Sequence, residues 1–200
     1  MTIMKHAMLN LDQSSLHQLA ALVGTPWRLV TGEKVPEKPR HLFAWDDVVV
    51  SAGDVTLAIH NELTEAAFEE EPDEYPLLSV RDGSKRLIAD ENGGRVFFQH
   101  RGEPIHNVYI VRESITQLMS GEPTWEYVTD YAVIFEFADG AIVVGKNGHH
   151  MEGMQVSFAD SVATADIADR SIEWDWDNEL GEEYEVGREI LPIEDLLVPN

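Results

Sequence analysis

The sequence contains no cysteine, few basic residues and no long apolar segment. Without cysteine, the chain can form neither a disulfide nor a thiolate metal site, and it has no cysteine nucleophile. No segment approaches the roughly 18 apolar residues that a membrane span needs, and the first ten residues lack the pattern of a signal peptide. These absences predict a cytoplasmic protein that does not bind membranes.

Motifs with a fixed catalytic spacing are also missing. The chain has no P-loop, no GxGxxG, no GxSxG elbow and no HExxH. Its 37 acidic residues make carboxylate pairs so common that they say little about an acid–base pair. The sequence therefore favours a binding protein over an enzyme and predicts no cofactor. An enzyme stays open as an alternative, because a triad assembled only in space leaves no motif.

The charge of the chain is strongly negative and unevenly distributed. The chain contains 14 Lys and Arg residues and 37 Asp and Glu residues, which gives a formal net charge of −23. By segment, the charge is −8 over residues 1–80, +2 over 81–112 and −17 over 113–200. Such a field repels phosphate backbones, so we expect no nucleic-acid partner. The acidic last third indicates either a well-solvated surface or a docking face for a basic protein.

Residues 173–177 alternate tryptophan with carboxylates in an unusual way. A half-buried strand explains this pattern if the tryptophans pack on one face and the acids face water. The functional alternative is a recognition surface, on which aromatic anchors and carboxylates engage a cationic partner. The predicted partner-binding residues are Trp174, Asp175, Trp176, Asp177, Glu182, Glu183, Tyr184 and Glu185.

Histidine- and arginine-containing turns form the alternative candidate site. His100, Arg101 and His106 lie in a turn within the least acidic segment, where they could hold an anionic ligand or merely join two strands. His149 and His150 lie in a glycine-rich loop. Adjacent histidines on an extended chain point to opposite sides, so this pair predicts no metal site.

Turn residues and hydrophobic periodicity predict many short strands. Residues 48–59 and 131–144 each show two β-rich runs around a Gly/Asp turn, which predicts two hairpins. Residues 14–23 place leucines at helical spacing and predict a short N-terminal helix. Residues 189–197 suit an edge strand or a terminal turn, because Pro192 interrupts the apolar run.

Four further segments carry weaker patterns. Residues 61–76 contain seven acids and no Lys or Arg, which predicts a solvated loop. Residues 85–89 and 171–176 are interpreted as strands, and residues 115–119 as a short helix that stops at Gly121.

These elements predict a strand-rich α+β fold with mainly antiparallel sheets and a short N-terminal helix. A single compact domain over residues 1–200 is expected, and a subdivision near residues 113–130 is the alternative. Our leading functional hypothesis is a noncatalytic acidic protein that binds a basic protein, like an inhibitor, immunity or antitoxin-type factor. The alternatives are a ligand-binding protein or enzyme that uses the His/Arg turns, and a structural or oligomeric subunit. The sequence predicts no oligomeric state.

Overall fold

The computed structural model describes residues 4–45, 47–69, 72–93, 95–169, 171–174 and 181–198. The described residues form two α-helices, α1 (Gln13–Ala20) and α2 (Ser84–Asn92). Three 3₁₀ turns lie at Val162–Thr164, Ser171–Trp174 and Ile193–Leu196. None of the described helices is long and apolar enough to cross a membrane.

Most of the described chain is strand. In chain order, the strands are β1 (Lys5–Leu9), β2 (Trp27–Thr31), β3 (Glu33–Lys34), β4 (His41–Trp45), β5 (Asp47–Ala52), β6 (Val55–Ala66), β7 (Asp73–Asp82), β8 (Val96–Phe97), β9 (Asn107–Met119), β10 (Glu122–Phe137), β11 (Gly140–Lys146), β12 (Gly153–Ala159) and β13 (Glu182–Pro192).

These strands form two sheets. The larger sheet has the order β13-β9-β10-β11-β12-β4-β3, with β1 also paired to β10, and the smaller has the order β7-β6-β5-β2-β8. The β1–β10 pair is parallel, whereas the other pairs between described strands are antiparallel. The predicted strand-rich architecture with mainly antiparallel sheets is confirmed.

One continuous hydrophobic core lies between the two sheets and α1. Asp12 begins the helix, since its side chain accepts a hydrogen bond of 2.7 Å from the Ser15 amide. The helix then buries Leu16 and Leu19, three residues apart, in this core. The N-terminal helix predicted over residues 14–23 is confirmed in part, because the regular helix ends at Ala20.

The strand β10 changes neighbours along its length. Residues 125–129 pair with β1, whereas residues 132–137 pair with β11. Between these halves, the pairing of β10 with β9 shifts register at Asp130–Ala132. Such a β-bulge turns the strand and changes which side chains face the core. Val133 then belongs to the main core, while Tyr127 belongs to a separate aromatic cluster.

Both predicted hairpins are present. β5 and β6 pair from Asp47↔His60 to Ala52↔Val55, around a turn at Gly53 with φ +55°. β10 and β11 pair up to Phe137↔Gly140, around the predicted Ala138-Asp139-Gly140 turn. The edge strand or terminal turn predicted for residues 189–197 is also confirmed. β13 is an edge strand through Pro192, and a 3₁₀ turn follows it.

Three local predictions are wrong. Residues 85–89 lie in α2, where the Asp82 side chain accepts from the Ser84 amide just before the helix. Most of residues 61–76 are strand, because β6 extends to Ala66 and β7 starts at Asp73. Residues 115–119 belong to β9, where they pair with β10 on one side and β13 on the other.

The strand predicted over residues 171–176 is corrected where the structure describes it. Residues 171–174 form a 3₁₀ turn, and residues 175 and 176 lie outside the described residues. The segment 113–130, where the sequence suggested a subdivision, lies within the β9–β10 hairpin.

Candidate functional site

Four strands extend beyond the main core as a half-sheet in the order β13-β9-β10-β1. We call it the distal half-sheet; it comprises residues 182–190, 112–119, 122–130 and 5–9. Its register aligns Glu185, Thr116, Glu126 and His6 in one row. The next row aligns Val186, Ile115, Tyr127 and Ala7. Directly paired residues point to the same side of a sheet, and successive rows alternate between its two faces.

One face of the distal half-sheet is covered by an aromatic cluster. This cluster consists of Phe68, Tyr75, Ile115, Trp125, Tyr127 and Trp174, with Tyr184 packed against it. Trp174 is only 5% exposed and stacks on Tyr75, with the ring centroids 6.1 Å apart. Aromatic pairs of this kind stabilise a fold beyond the area that they bury.

The tyrosines of the aromatic cluster are held in their neutral form. Burial raises the pKa of Tyr75 and of Tyr127 above the ordinary tyrosine value. Burial also raises the pKa of Tyr184 to about 12. These side chains therefore supply apolar area, and the Tyr75 hydroxyl donates to Glu69 Oε2 at 2.7 Å.

A buried polar cluster lies beside the aromatic rings. Glu113 is 1% exposed, and its carboxylate accepts from the Arg188 guanidinium through Nε at 2.7 Å and also through a second nitrogen. Its other oxygen lies 3.1 Å from His149 Nε2. Because a buried carboxylate is costly unless it is paired, this arrangement fixes β13 and the loop that carries His149 onto β9.

The second carboxylate of the buried polar cluster belongs to Asp130, at the bulge of β10. Asp130 accepts from Arg112 Nε at 2.8 Å and from the Leu11 amide at 2.8 Å. The carboxylate thus connects β10 to β9 and to the segment after β1. It stabilises the place where β10 exchanges one neighbouring strand for another.

Lys146 is fully buried at the end of β11. Its Nζ donates to the Pro76 carbonyl at 2.6 Å and to Thr129 Oγ1 at 2.5 Å, which links the two sheets. Burial lowers the pKa of Lys146 to about 7, and the nearby carboxylates of Asp130 and Glu113 oppose this shift.

The loop histidines belong to these two clusters. His149 is 1% exposed, and its backbone amide donates to Glu173 Oε2 at 2.7 Å. His150 lies against Trp174, with ring centroids 5.0 Å apart, and burial lowers the pKa of His150. Among the described residues, no group of three His, Asp or Glu side chains is placed to hold a metal ion.

The other predicted His/Arg turn packs elsewhere. His100 stacks on Phe137 at 4.5 Å between centroids, and its Nδ1 lies 3.1 Å from Glu103. Arg101 covers the ring of Phe98 at 5.1 Å. His106 is exposed. No contact given for the described residues joins this turn to His149 or His150.

A shallow cleft lies between β4 and α2. It encloses about 300 Å³, open to solvent, and its lining includes Phe43, Trp45, Arg86, Asp90 and Arg95. Its charges are largely paired within the protein. Arg86 lies 3.4 Å from Asp90, and Arg95 lies 3.3 Å from a Glu33 oxygen.

The opposite face of the distal half-sheet is exposed and negatively charged. We call it the acidic face; it consists of His6, Met8, Arg112, Ser114, Thr116, Leu118, Glu126, Val128, Glu183, Glu185 and Glu189. Arg112, which lies directly opposite Glu189, is bonded to the buried Asp130 carboxylate. Glu183, Glu185 and Glu189 are exposed, and none has an ion-pair partner among the residues that the structure describes. Met8 is 69% exposed on β1, at the edge of this face furthest from β13.

The structure divides the predicted partner-binding residues between the two faces. Glu183 and Glu185 lie on the acidic face, whereas Tyr184 lies on the aromatic side together with Glu182, to which its hydroxyl donates at 3.0 Å. Trp174 is in the interior. Asp175, Trp176 and Asp177 lie outside the described residues.

Sequence reasoning missed several residues of the acidic face, namely His6, Met8, Glu126 and Glu189. The signal was present in residues 124–129, where Thr124, Glu126 and Val128 alternate with Trp125, Tyr127 and Thr129. This alternation predicts a strand with one buried and one exposed face.

No protein-family model, curated protein or solved structure was found to match this chain.

Proposed function

We propose that this chain is a noncatalytic binding protein that engages a basic protein through the acidic face, as inhibitor, immunity and antitoxin-type proteins do. One observation carries the proposal: Glu183, Glu185 and Glu189 are exposed on a single sheet face and form no ion pair with a described residue, since Arg112, the arginine of that face, is bonded to Asp130. Carboxylates that a protein leaves unpaired on one face are available to pair with the cations of a partner.

The shape of the charge distribution supports this proposal. Most of the acidic face belongs to residues 113–200, which carry a charge of −17 that would attract a cationic protein. Such a field accelerates encounter. Met8, Val128 and Leu118 provide apolar area on the same face, and burial of that area would slow release of the partner.

The placement of the chemically versatile groups favours binding over catalysis. Glu113, His149 and Lys146 are buried titratable groups, and each is committed to contacts that connect strands or loops. A general acid or base has to reach the substrate proton within hydrogen-bond distance. Groups that are 1% exposed or less do not meet a solvent-borne substrate. The absence of cysteine supports a cytoplasmic site of action.

The proposal is tested by capture of partners from a lysate of the source organism with the native chain and two variants of equal charge. The first variant carries Glu183→Gln, Glu185→Gln and Glu189→Gln on the acidic face. The control variant carries Glu65→Gln, Glu74→Gln and Glu152→Gln, three exposed carboxylates on other parts of the surface.

We expect a basic protein that the native chain and the control variant retain at about 50 mM salt, and that the acidic-face variant loses. Retention should also fall at about 300 mM salt, since exposed charges are screened there. Equal retention by both variants would show that overall charge, rather than the acidic face, holds the partner.

A further inference from the structure

β13 is a long, open edge of the larger sheet. It contains 11 residues, Glu182–Pro192, and among the described strands it pairs only with β9. Residues 183 and 185–190 along it are exposed. A strand edge of this length presents a row of backbone donors and acceptors to which another extended segment can pair.

The register identifies the free backbone groups. The Ser120 amide donates to the Gly181 carbonyl at 2.7 Å, which makes Gly181 and Ser120 a hydrogen-bonded pair of the antiparallel ladder. Such pairs alternate, so the odd-numbered residues of β13 bond to β9 and the even-numbered residues point their backbone groups outward. Pro192, which has no N–H, falls at an even position, in agreement with this assignment.

The side chains along the edge alternate in the same way. Glu183, Glu185 and Glu189 point to the acidic face. Val186 and Ile190 point to the opposite side, where they are 40% and 41% exposed. Tyr184 and Arg188 lie on that side as well, and Arg188 is held by the Glu113 carboxylate. An extended segment paired to β13 would therefore meet carboxylates on one of its faces and, on the other, two exposed apolar side chains that flank this paired arginine.

We propose that β13 binds its basic partner by strand addition, and that the added segment alternates Lys or Arg with apolar, β-branched residues. This inference rests on the proposed function, because it specifies how the basic partner is held. Main-chain hydrogen bonds to the even-numbered residues would supply affinity, and the two rows of side chains would select the alternating sequence.

The same arrangement selects against a second copy of this chain. In an antiparallel register centred on Val186, an added β13 would bring its Glu189 opposite Glu183 and its Glu183 opposite Glu189, and like charges directly across a ladder are destabilising. Charged edges of this kind prevent indiscriminate pairing between sheets. Only a positively charged segment would be attracted by the carboxylates that repel a second copy of β13.

The test uses two labelled nine-residue peptides of identical composition, one alternating Lys and Val and the other with five Lys followed by four Val. Their binding to the native chain is compared by fluorescence anisotropy at about 50 mM salt. We expect the alternating peptide to bind at least about tenfold more tightly, a difference of about 1.4 kcal/mol.

A backbone variant separates strand addition from charge attraction. Val186→Pro removes one outward N–H and leaves the ladder to β9 intact, whereas Val186→Thr keeps the N–H as a matched control. We expect Val186→Pro to weaken the alternating peptide about tenfold and Val186→Thr to leave it within about twofold. Circular dichroism of both variants verifies that β13 remains folded.

Two outcomes would overturn strand addition. In the first, both peptides bind equally, and Val186→Pro leaves their binding unchanged, whereas the Glu183→Gln, Glu185→Gln, Glu189→Gln variant no longer binds either. This result would support docking on the acidic face and contradict strand addition. If neither peptide binds the native chain, strand addition also fails, and the proposed function is then decided by the lysate capture alone.

Discussion

The two faces of the distal half-sheet place the same kinds of residue in opposite environments. On β9, Ile115 is fully buried in the aromatic cluster, whereas its neighbour Thr116 faces the acidic face. The carboxylate of Glu113 is buried and paired to Arg188, whereas that of Glu185 is exposed and has no ion pair within the described part of the chain. The face that a side chain occupies therefore decides whether its charge is paired within the fold or left exposed to solvent.

The physical cause of this division is the cost of dehydrating a charge. A buried carboxylate loses its hydration and must recover the energy through close cations and donors. An exposed carboxylate keeps its hydration and contributes little to folding. Three predictions on stability and one on both stability and binding test this contrast, from the largest effect to the smallest.

Removal of the buried carboxylate should have the largest effect. Glu113→Ala leaves Arg188 and His149 without their shared partner, and we expect a loss of about 3–5 kcal/mol in the free energy of unfolding. Urea denaturation, monitored by tryptophan fluorescence, measures this loss of stability. The matched variant Glu185→Ala, on the exposed face, should change the free energy by less than about 0.5 kcal/mol. Similar losses of stability in both variants would contradict the contrast between the buried and the exposed carboxylates.

Removal of apolar volume should show the same contrast between adjacent residues. Ile115→Ala opens a cavity beside Tyr127 and should cost about 2–5 kcal/mol. Thr116→Ala should cost no more than about 0.5 kcal/mol. Both values come from the same denaturation experiment. A large loss for Thr116→Ala would mean that the acidic face is covered within the protein itself.

The buried lysine should make stability depend on pH. Burial lowers the pKa of Lys146 from 10.5 to about 7, so between these values the unfolded chain binds a proton that the folded chain lacks. Stability should therefore rise with pH across this window, by at most about 1.4 kcal/mol per pH unit. Below about pH 7 the lysine is protonated in both states, so Lys146 should add no pH dependence there. The Lys146→Met variant should lack this pH-dependent rise in stability. Subtracting its stability curve from that of the native chain between pH 6 and 10 measures the rise. Parallel curves would show that Lys146 keeps its ordinary pKa.

Neutralisation of the acidic face should have the smallest effect on stability and the clearest effect on binding. The variant with Glu183→Gln, Glu185→Gln and Glu189→Gln should unfold within about 0.5 kcal/mol of the native chain for each substitution. Its capture of a basic protein should nevertheless be lost. A stability loss of several kcal/mol would indicate that these carboxylates have partners within the fold.

Local turn chemistry explains the parts of the fold that the sequence predicts well. The hairpin of β5 and β6 turns at Gly53-Asp54, and that of β10 and β11 turns at Asp139-Gly140. In both, residues adjacent along the chain determine the structure, so no distant contact is needed to predict it.

The wrong predictions involve segments whose environment is set by distant residues. Leu87 and Ile88 are adjacent apolar residues that fit a short strand as well as a helix, and only the structure assigns them to α2. The acids Glu62 and Glu65 suggested a loop, yet they lie on the exposed positions of β6, whose backbone is paired to β5 and β7. Charge alone does not distinguish a loop from the solvent side of a strand.

The candidate site was predictable only in part for the same reason. The sequence indicates an acidic C-terminal third and names Glu183 and Glu185, but it does not place His6 and Met8 on the same face, because β1 and its partner β10 are about 120 residues apart. The pairing of Glu113 with His149 and Arg188 is likewise a product of the fold, since these residues come from β9, a loop and β13.

The parallel pairing of β1 with β10 has a consequence for synthesis. A ribosome makes Lys5 early, yet its partner Trp125 emerges only after more than half of the chain has been translated. β13, which forms the other side of the same half-sheet, emerges later still. Closing such long loops slows folding, since the entropy of closure has to be overcome before the contacts form. A nascent chain therefore cannot present the complete acidic face until β13 has been synthesised.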